Sequence, residues 1–216
     1  MSWKNDQVSE KDINTIIKLA KECLRVEGDF VEMGCYKGDT SLLLADIIFS
    51  GPRPAGPSPR AAGAKSRAAA LRNAPKRQYS ATTHRLFIYD SFEGLPEKRV
   101  EDESVMGVDF KQGELLVTKR EVKLRFLKAG LPVPVIKKAW FSELTSEDMP
   151  AKIAFAFLDG DFYESIRDSL KLVAPRMSED GVMVVHDYTN PALPGVKKAV
   201  DEWREHNKKE IKLVLL

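Results

Sequence analysis

The chain has 216 residues, of which 43% are apolar, and its 34 Lys and Arg stand against 32 Asp and Glu. That length and apolar content suit a single globular domain over residues 1–216, and the near balance of charge makes nucleic acid an unexpected partner. The sequence has neither the run of roughly 20 apolar residues that a membrane span needs nor, in its polar N-terminus, a secretion signal. We therefore expect a cytoplasmic protein without a membrane partner, in which Cys23 and Cys35 are free thiols.

The first elements along the chain are a helix, a strand and a second helix. Apolar residues recur with a helical period over residues 9–26, and Ser9 is placed as the N-cap. Residues 29–34 then form a short strand that leads into a glycine-containing turn. A second, strongly apolar helix begins at Asp39 or Thr40. The segment is thus predicted to be a strand–turn–helix unit.

Residues 51–85 interrupt this pattern. They are rich in Pro, Gly, Ala and Ser, and they hold eight basic residues and no acidic one. Such a composition is typical of a solvated, disordered insertion. The alanine-rich part, residues 61–72, is the one piece that is able to become helical against an acidic partner. We predict a basic, disordered insertion.

The alternation of elements resumes with a strand at residues 86–90. Further helices are predicted at 119–129 and 163–173, and further strands at 132–138, 153–158, 181–185 and 211–216. Apolar strands that alternate with helices predict an α/β, Rossmann-like fold, a mostly parallel twisted sheet with helices on both faces. In such sheets the ligand lies beyond the carboxyl ends of the strands, near the point where the strand order reverses.

The turn after the first strand has the spacing Glu32-x-Gly34-x-x-x-Gly38. It places an acid at the strand end, a glycine where the backbone approaches a ligand, and a second glycine at the start of the helix. A dinucleotide site instead needs G-x-G-x-x-G to bring backbone amides onto a pyrophosphate, so an NAD-dependent oxidoreductase is disfavoured. The alternative interpretation is that the glycines only permit a tight turn.

The next two strand ends add candidate cofactor contacts. Asp90 is placed to accept hydrogen bonds from two ribose hydroxyls, because an ionised carboxylate only accepts. Its alternative role is a turn cap together with Ser91. Trp140 and Phe141 follow the third strand, where they either stack on an adenine or belong to the core.

Four polar residues follow the fourth and fifth strands, namely Asp159, Asp161, His186 and Asp187. Carboxylates packed this closely repel one another unless a cation or shared protons relieve them. A hard divalent ion such as magnesium is the simplest relief, and it also lowers the pKa of a bound hydroxyl. Two alternatives stay open: a neutral, hydrogen-bonded His186, and Asp161 as the N-cap of the following helix with Glu164 completing a capping box.

Four segments, in chain order, resemble the macrocin O-methyltransferase family: VEMGCYKGDTS, YDSFEGLP, LDGDFYES and HDYTNPALPGVKKAVDEW. The resemblance covers most of residues 10–205 apart from the insertion. It implies the class I methyltransferase fold, S-adenosyl-L-methionine as cofactor, and a magnesium ion held by Asp159 and Asp187. Together with the residue patterns it predicts these cofactor-binding residues: Glu32, Gly34, Gly38, Ser41, Asp90, Ser91, Trp140 and Asp159. The predicted catalytic and metal-binding residues are Asp159, His186 and Asp187.

Three features depart from the family pattern. His186-Asp187 stands where the family has two consecutive aspartates, and imidazole suits zinc, iron or nickel better than magnesium. The predicted strand 211–216 is the sixth, and the family fold has a further antiparallel strand that closes the sheet edge, so either a partner such as a second copy covers this edge or stability is reduced. The insertion at 51–85 has no counterpart in the family.

These observations predict a methyltransferase that moves a methyl group from S-adenosylmethionine to a hydroxyl of a small sugar, polyol or aromatic acceptor, with Asp159, Asp161 or His186 taking the proton. Two alternatives remain from the sequence. One is a nucleic-acid methyltransferase that uses the basic insertion. The other is a protein that binds the cofactor but is catalytically inactive because of the change at His186.

Overall fold

A computed structural model describes residues 7–49, 84–106, 110–207 and 210–216. Helices and strands alternate within these ranges. In chain order they are α1 (Glu10–Cys23), β1 (Asp29–Met33), α2 (Asp39–Phe49), β2 (Leu86–Asp90), α3 (Lys119–Ala129), β3 (Val135–Lys138), β4 (Ile153–Leu158), α4 (Tyr163–Val173), β5 (Met177–Val185), α5 (Pro194–His206) and β6 (Lys212–Leu215).

The strands form one sheet in the order β3-β2-β1-β4-β5-β6, and every pair of neighbours is parallel. The predicted α/β fold is therefore confirmed. The order reverses between β1 and β4, where Val31 pairs with Ala156, so a cleft is expected at the carboxyl ends of these two strands. The described residues contain no antiparallel strand, and β6 pairs directly with β5, Val184 lying opposite Val214.

Two apolar cores lie on opposite faces of the sheet. Alternate strand residues point to opposite faces, so Phe30 of β1 packs with α1, α2 and α3 whereas Val31 packs with α4 and α5. Both side chains are fully buried. The predicted covering of the sheet by helices on both faces is confirmed, and its strands read as apolar runs because both faces are buried.

Local capping signals placed several helix ends correctly. The Ser9 hydroxyl accepts the backbone N–H of Asp12 at 3.2 Å, as predicted for an N-cap. Helix α3 has the bounds expected from the sequence, since Thr118 and Glu121 form a capping box at its start and Gly130 ends it in the left-handed conformation.

Two strands begin elsewhere than predicted. Strand β3 starts at Val135 rather than at residue 132, because Pro132 and Pro134 have no N–H for the ladder. Strand β5 starts at Met177, four residues before the predicted Gly181. Residues 178–180 of this strand are polar and at least partly exposed, so the apolar pattern does not reveal them. The register of β5 with β4 also shifts after Ile153.

Two residues at the end of the predicted insertion, His84 and Arg85, belong to the folded domain. Arg85, which we counted with the insertion, donates its backbone N–H to Asp29 Oδ1 at 2.8 Å and its guanidinium to Asp29 Oδ2 at 2.7 Å. His84 is buried, with its ring against the carbonyl oxygens of Leu24 and Gly28. The prediction of disorder for the rest of the insertion falls on residues outside the described ranges. Among the residues that the structure describes, no helix is long and apolar enough to cross a membrane.

Candidate functional site

A cleft opens at the carboxyl ends of the strands, at the point where the strand order reverses. Seven of the predicted site residues line it: Gly34, Asp90, Ser91, Trp140, Asp159, His186 and Asp187. The remaining three, Glu32, Gly38 and Ser41, do not line the cleft. Asp161, Phe141 and the turn residues Cys35 and Tyr36 also line it.

Backbone strain in the described residues is concentrated around this cleft. Five non-glycine residues have positive φ, and four of them, Tyr36, Leu115, Asp161 and Asp187, line the cleft. Such conformations cost free energy and persist where the surrounding structure holds them, which is common in ligand sites. The strain is an independent sign that these turns form a functional site.

The close approach of the carboxyl ends of β1 and β4 requires a glycine at position 34. Its φ is +88°, and a Cβ at this position would overlap the carbonyl oxygen of Asp159. The N–H of Gly34 donates to Tyr89 O, and the N–H of Asp159 donates to Met33 O, both at 2.9 Å. The turn after β1 and the start of the Asp159 loop are thus held in backbone contact at the cleft floor, for which only glycine leaves room.

Glu32 and Ser41 form a buried pair beneath the same turn. Glu32 is 1% exposed and accepts a short hydrogen bond from the Ser41 hydroxyl, which is fully buried. Burial raises the pKa of Glu32 to about 8, and the charges of Asp159 and Asp90 add to this while the bond from Ser41 opposes it. Glu32 and Ser41 therefore support the turn beneath the cleft and do not line the cleft themselves.

This pKa predicts a pH-dependent stability. Because the folded-state pKa of Glu32 lies above its ordinary value of 4.5, the unfolded chain releases the proton first, and stability falls as pH rises from 4.5 to 8 by at most about 1.4 kcal/mol per pH unit. Glu32→Gln is expected to remove this decline, and Ser41→Ala to extend it to higher pH. Urea unfolding at pH 5, 6, 7 and 8 measures both; parallel curves for Glu32→Gln and the unmodified protein would contradict the assignment.

Asp90 holds the β1–α2 turn as well as facing the cleft. Its Oδ2 accepts the N–H groups of Cys35 at 2.8 Å and Tyr36 at 3.4 Å, and its Oδ1 accepts the N–H of Phe92 at 2.7 Å. A carboxylate has about four acceptor positions, so one stays free beside the long contact to Tyr36. If the N–H of Tyr36 no longer bonds to Oδ2, the carboxylate is able to accept hydrogen bonds from both hydroxyls of a diol.

Ser91 and Trp140 contribute to the walls of the cleft. The Ser91 hydroxyl donates to Gly94 O and accepts the N–H of Glu93, both at 3.1 Å, so it fastens its own turn. Trp140 is partly exposed and lies with Phe141 on the cleft wall, where both are available to a planar ligand. Phe141 also packs against the core, the alternative that the sequence left open, whereas Trp140 belongs to neither core cluster.

Asp159, His186 and Asp187 form a compact cluster whose ligand atoms lie within 4.8 Å of one another. His186 Nδ1 is 3.0 Å from Asp159 Oδ1 and 2.9 Å from Asp187 Oδ2. Burial lowers the pKa of His186, but the hydrogen bonds and charges of the two carboxylates outweigh it and raise the pKa to about 11. The same contacts hold the pKa of Asp187 below its usual value despite burial. This geometry favours the protonated form of His186 over the neutral histidine that the sequence left open.

Asp161 is not the helix cap that the sequence suggested as one alternative. Helix α4 has Phe162 at the N-cap position, without a side-chain cap. Asp102, which the sequence analysis did not single out, accepts the N–H of Tyr163 instead, at 2.7 Å. Within the described ranges the Asp161 carboxylate makes no hydrogen bond, and burial, with the charges of Asp159 and Asp187, raises its pKa well above the usual value. Its side chain is thus a free carboxyl group at the cleft.

The fold and the position of the cleft are those of the Rossmann-like class I methyltransferases. The family model described as Macrocin-O-methyltransferase (TylF) matches residues 66–214, and the chain belongs to this family. The resemblance found in the sequence is thereby confirmed.

Two curated relatives are similar over 83% of the chain. The 8-demethyl-8-(2,3-dimethoxy-alpha-L-rhamnosyl)-tetracenomycin-C 4'-O-methyltransferase of Streptomyces olivaceus is 27% identical, and the demethyldecarbamoylnovobiocin O-methyltransferase of Streptomyces niveus is 26% identical. The chain spans 59% of the length of each relative.

Solved structures show the same architecture. The O-methyltransferase NovP superposes with a TM-score of 0.67 at 25% identity, over 92% of this chain and 73% of that one. The calicheamicin methyltransferase CalS11 superposes with a TM-score of 0.62 at 20% identity, over 89% of this chain and 70% of that one. The latter likeness supports the fold alone.

Proposed function

We propose that the protein is an S-adenosylmethionine-dependent O-methyltransferase acting on a hydroxyl group of a small molecule. The observation that carries the proposal is that Asp90 and Gly34, suited to a nucleoside and its amino-acid tail, share one cleft with the free carboxyl group of Asp161. The relatives are named as O-methyltransferases of a rhamnosyl-tetracenomycin and of demethyldecarbamoylnovobiocin. A sugar or aromatic hydroxyl is therefore the proposed acceptor.

The chain's own groups have separate tasks in this proposal. When bound, S-adenosylmethionine would supply a methyl group on a positively charged sulfur for transfer to the acceptor oxygen. Asp90 would accept hydrogen bonds from the ribose, and the turn at Gly34, packed against the Asp159 backbone, would contact the methionine portion. These contacts hold the reacting groups in the orientation that lowers the entropic part of the barrier.

Asp161 is the proposed acceptor of the hydroxyl proton. Of the three candidates from the sequence, His186 already carries a proton, and Asp159 is engaged with it at 3.0 Å. Asp161 has no hydrogen-bond partner in the described part of the chain and lines the cleft. In its ionised form it is the carboxylate at the cleft that is free to accept the proton of a bound hydroxyl.

The cluster fits a divalent ion, though not the usual magnesium ligand set. Asp159 and Asp187 offer oxygen ligands and His186 offers a ring nitrogen, and imidazole favours zinc, iron, cobalt or nickel over magnesium. The proton of His186, shared with both carboxylates, has to leave before the nitrogen binds a metal. We propose a metal of this borderline class, which when bound lowers the pKa of a coordinated hydroxyl.

Binding of S-adenosylhomocysteine tests the cofactor site. The unmodified protein is expected to bind it in calorimetric titration, and Asp90→Asn to weaken binding about 10- to 100-fold, because a hydrogen bond to a charged group is worth roughly 1.5–3 kcal/mol. The neighbouring Glu93→Gln, which alters an exposed ion pair with Lys138 outside the cleft lining, is the matched control and should bind normally. Folded protein that does not bind the ligand would refute the proposal.

A further inference from the structure

Asp102 lies in the loop between β2 and α3, residues 91–118, which we call the β2–α3 loop. It is 2% exposed and ends a short 3-10 turn, Val100–Asp102. Its Oδ1 accepts the N–H of Tyr163 at 2.7 Å, and its Oδ2 accepts the N–H of Arg99 at 3.1 Å. Since Tyr163 begins α4 two residues after Asp161, one carboxylate joins the loop to the reaction centre.

The third segment at this carboxylate is the start of α5. A Cβ on Gly195 would overlap Asp102 Oδ1 and would lie 2.9 Å from the backbone nitrogen of Tyr163. The helix therefore packs directly over the Asp102 hydrogen bonds. Helix α4 follows the loop that carries Asp159 and Asp161, and α5 follows the loop that carries His186 and Asp187. Asp102 therefore contacts the helices that follow both of these loops.

Other contacts tie the same part of the loop at the surface. Arg99 pairs with Glu164 at 2.8 Å and Glu101 with Lys198 at 3.2 Å, and these side chains are largely solvent-exposed apart from Glu101. Exposed ion pairs contribute little to stability because water and salt screen them. Hydrogen bonds to a buried charged acceptor contribute more, so Asp102 is the main anchor.

The anchored segment also reaches the cleft. Leu95 and Pro96 line the cleft shortly before Asp102 in the chain, and Leu115 lines it from the end of the same loop. The Ser104 hydroxyl donates to Pro191 O at 2.8 Å, four residues after Asp187, which ties the segment to the loop that carries the cluster. Apolar residues on the wall of a cleft with a polar reaction centre suit the body of an acceptor whose hydroxyl points inward.

We propose that Asp102 is a positioning residue for the acceptor: it fixes the cleft wall formed by Leu95 and Pro96 relative to Asp159 and Asp161. The inference rests on the proposed methyl transfer. A displacement of about 1 Å at a reacting group lowers the rate by up to roughly a hundredfold. The role is therefore in presenting the acceptor, while cofactor binding is independent of it.

Asp102→Asn separates this role from helix capping. Its side-chain oxygen still accepts the N–H of Tyr163, but its amide presents hydrogens to the N–H of Arg99, so the cap stays and the loop bond is lost. We expect the melting temperature to fall by about 3–12 °C, as the loss of one such buried hydrogen bond implies for a domain of this size, and the S-adenosylhomocysteine affinity to stay close to that of the unmodified protein. We expect trypsin to cleave faster at Lys98, Arg99 or Lys111 in the loop, and the KM for demethyldecarbamoylnovobiocin, tested as acceptor, to rise about tenfold with a smaller change in kcat.

The matched control is Glu101→Gln, which removes a surface ion pair of the same turn and should leave cleavage and KM unchanged. Loop cleavage at the unmodified rate in Asp102→Asn would overturn the proposal, as would an equal loss of cofactor affinity. If the unmodified protein methylates no acceptor, the proposed function fails, yet the cleavage rates still decide whether Asp102 holds the loop.

Discussion

Asp159→Ala is expected to reduce methyl transfer by at least about a hundredfold while leaving S-adenosylhomocysteine binding nearly unchanged. The Asp159 carboxylate contacts His186, faces Asp161, and is one of three groups able to hold a metal ion. Its backbone, which supports Gly34, is unaffected by the substitution. Turnover and calorimetric titration on the same preparation measure the two properties.

The matched control for Asp159→Ala is Asp180→Ala, an exposed acid at the start of β5 and outside the cleft lining. It should retain both activity and binding. If Asp159→Ala and Asp90→Asn each lose binding and turnover to the same extent, the division between a cofactor side and a reaction side of the cleft is incorrect.

His186→Asp is expected to change the metal preference of the cluster. It replaces a borderline nitrogen ligand by a third hard carboxylate, which favours magnesium over cobalt or zinc. We expect magnesium affinity to rise and cobalt affinity to fall, each by at least about tenfold. Visible absorption of bound Co²⁺ and calorimetric titration with Mg²⁺ report the change without requiring an acceptor.

His206→Asp, at the exposed end of α5, controls for a new negative charge elsewhere. A preference for magnesium over cobalt in the unmodified protein would contradict the proposed borderline metal. Absence of binding by either ion would instead leave protonated His186 as the group that neutralises Asp159 and Asp187.

Local patterns in the sequence were sufficient for much of the fold. The bounds of β2, β4, α3 and α4 agree with those predicted, because apolar runs and periodicity define the buried faces of these elements. The family resemblance rested on residues at the strand ends, and the family model confirms it. The parallel sheet then follows from the alternation of strands and helices.

The details of the site depended on contacts between residues distant in the chain. Asp90 receives the N–H of Cys35 from 55 residues away, and Tyr163 is capped by Asp102 from 61 residues away rather than by the adjacent Asp161. Neither contact has a local signal, because loop residues carry no periodicity that would place them.

The sequence by itself determined the elements, the parallel sheet, and which residues stand at the strand ends, because propensity, periodicity and capping act over a few residues. The tertiary structure decided how those residues share charge and hydrogen bonds. It placed His186 between two carboxylates, buried Glu32 below the cleft and left Asp161 free within it. Protonation and ligand preference depend on burial and on the charges nearby in space, which only the packed chain brings together.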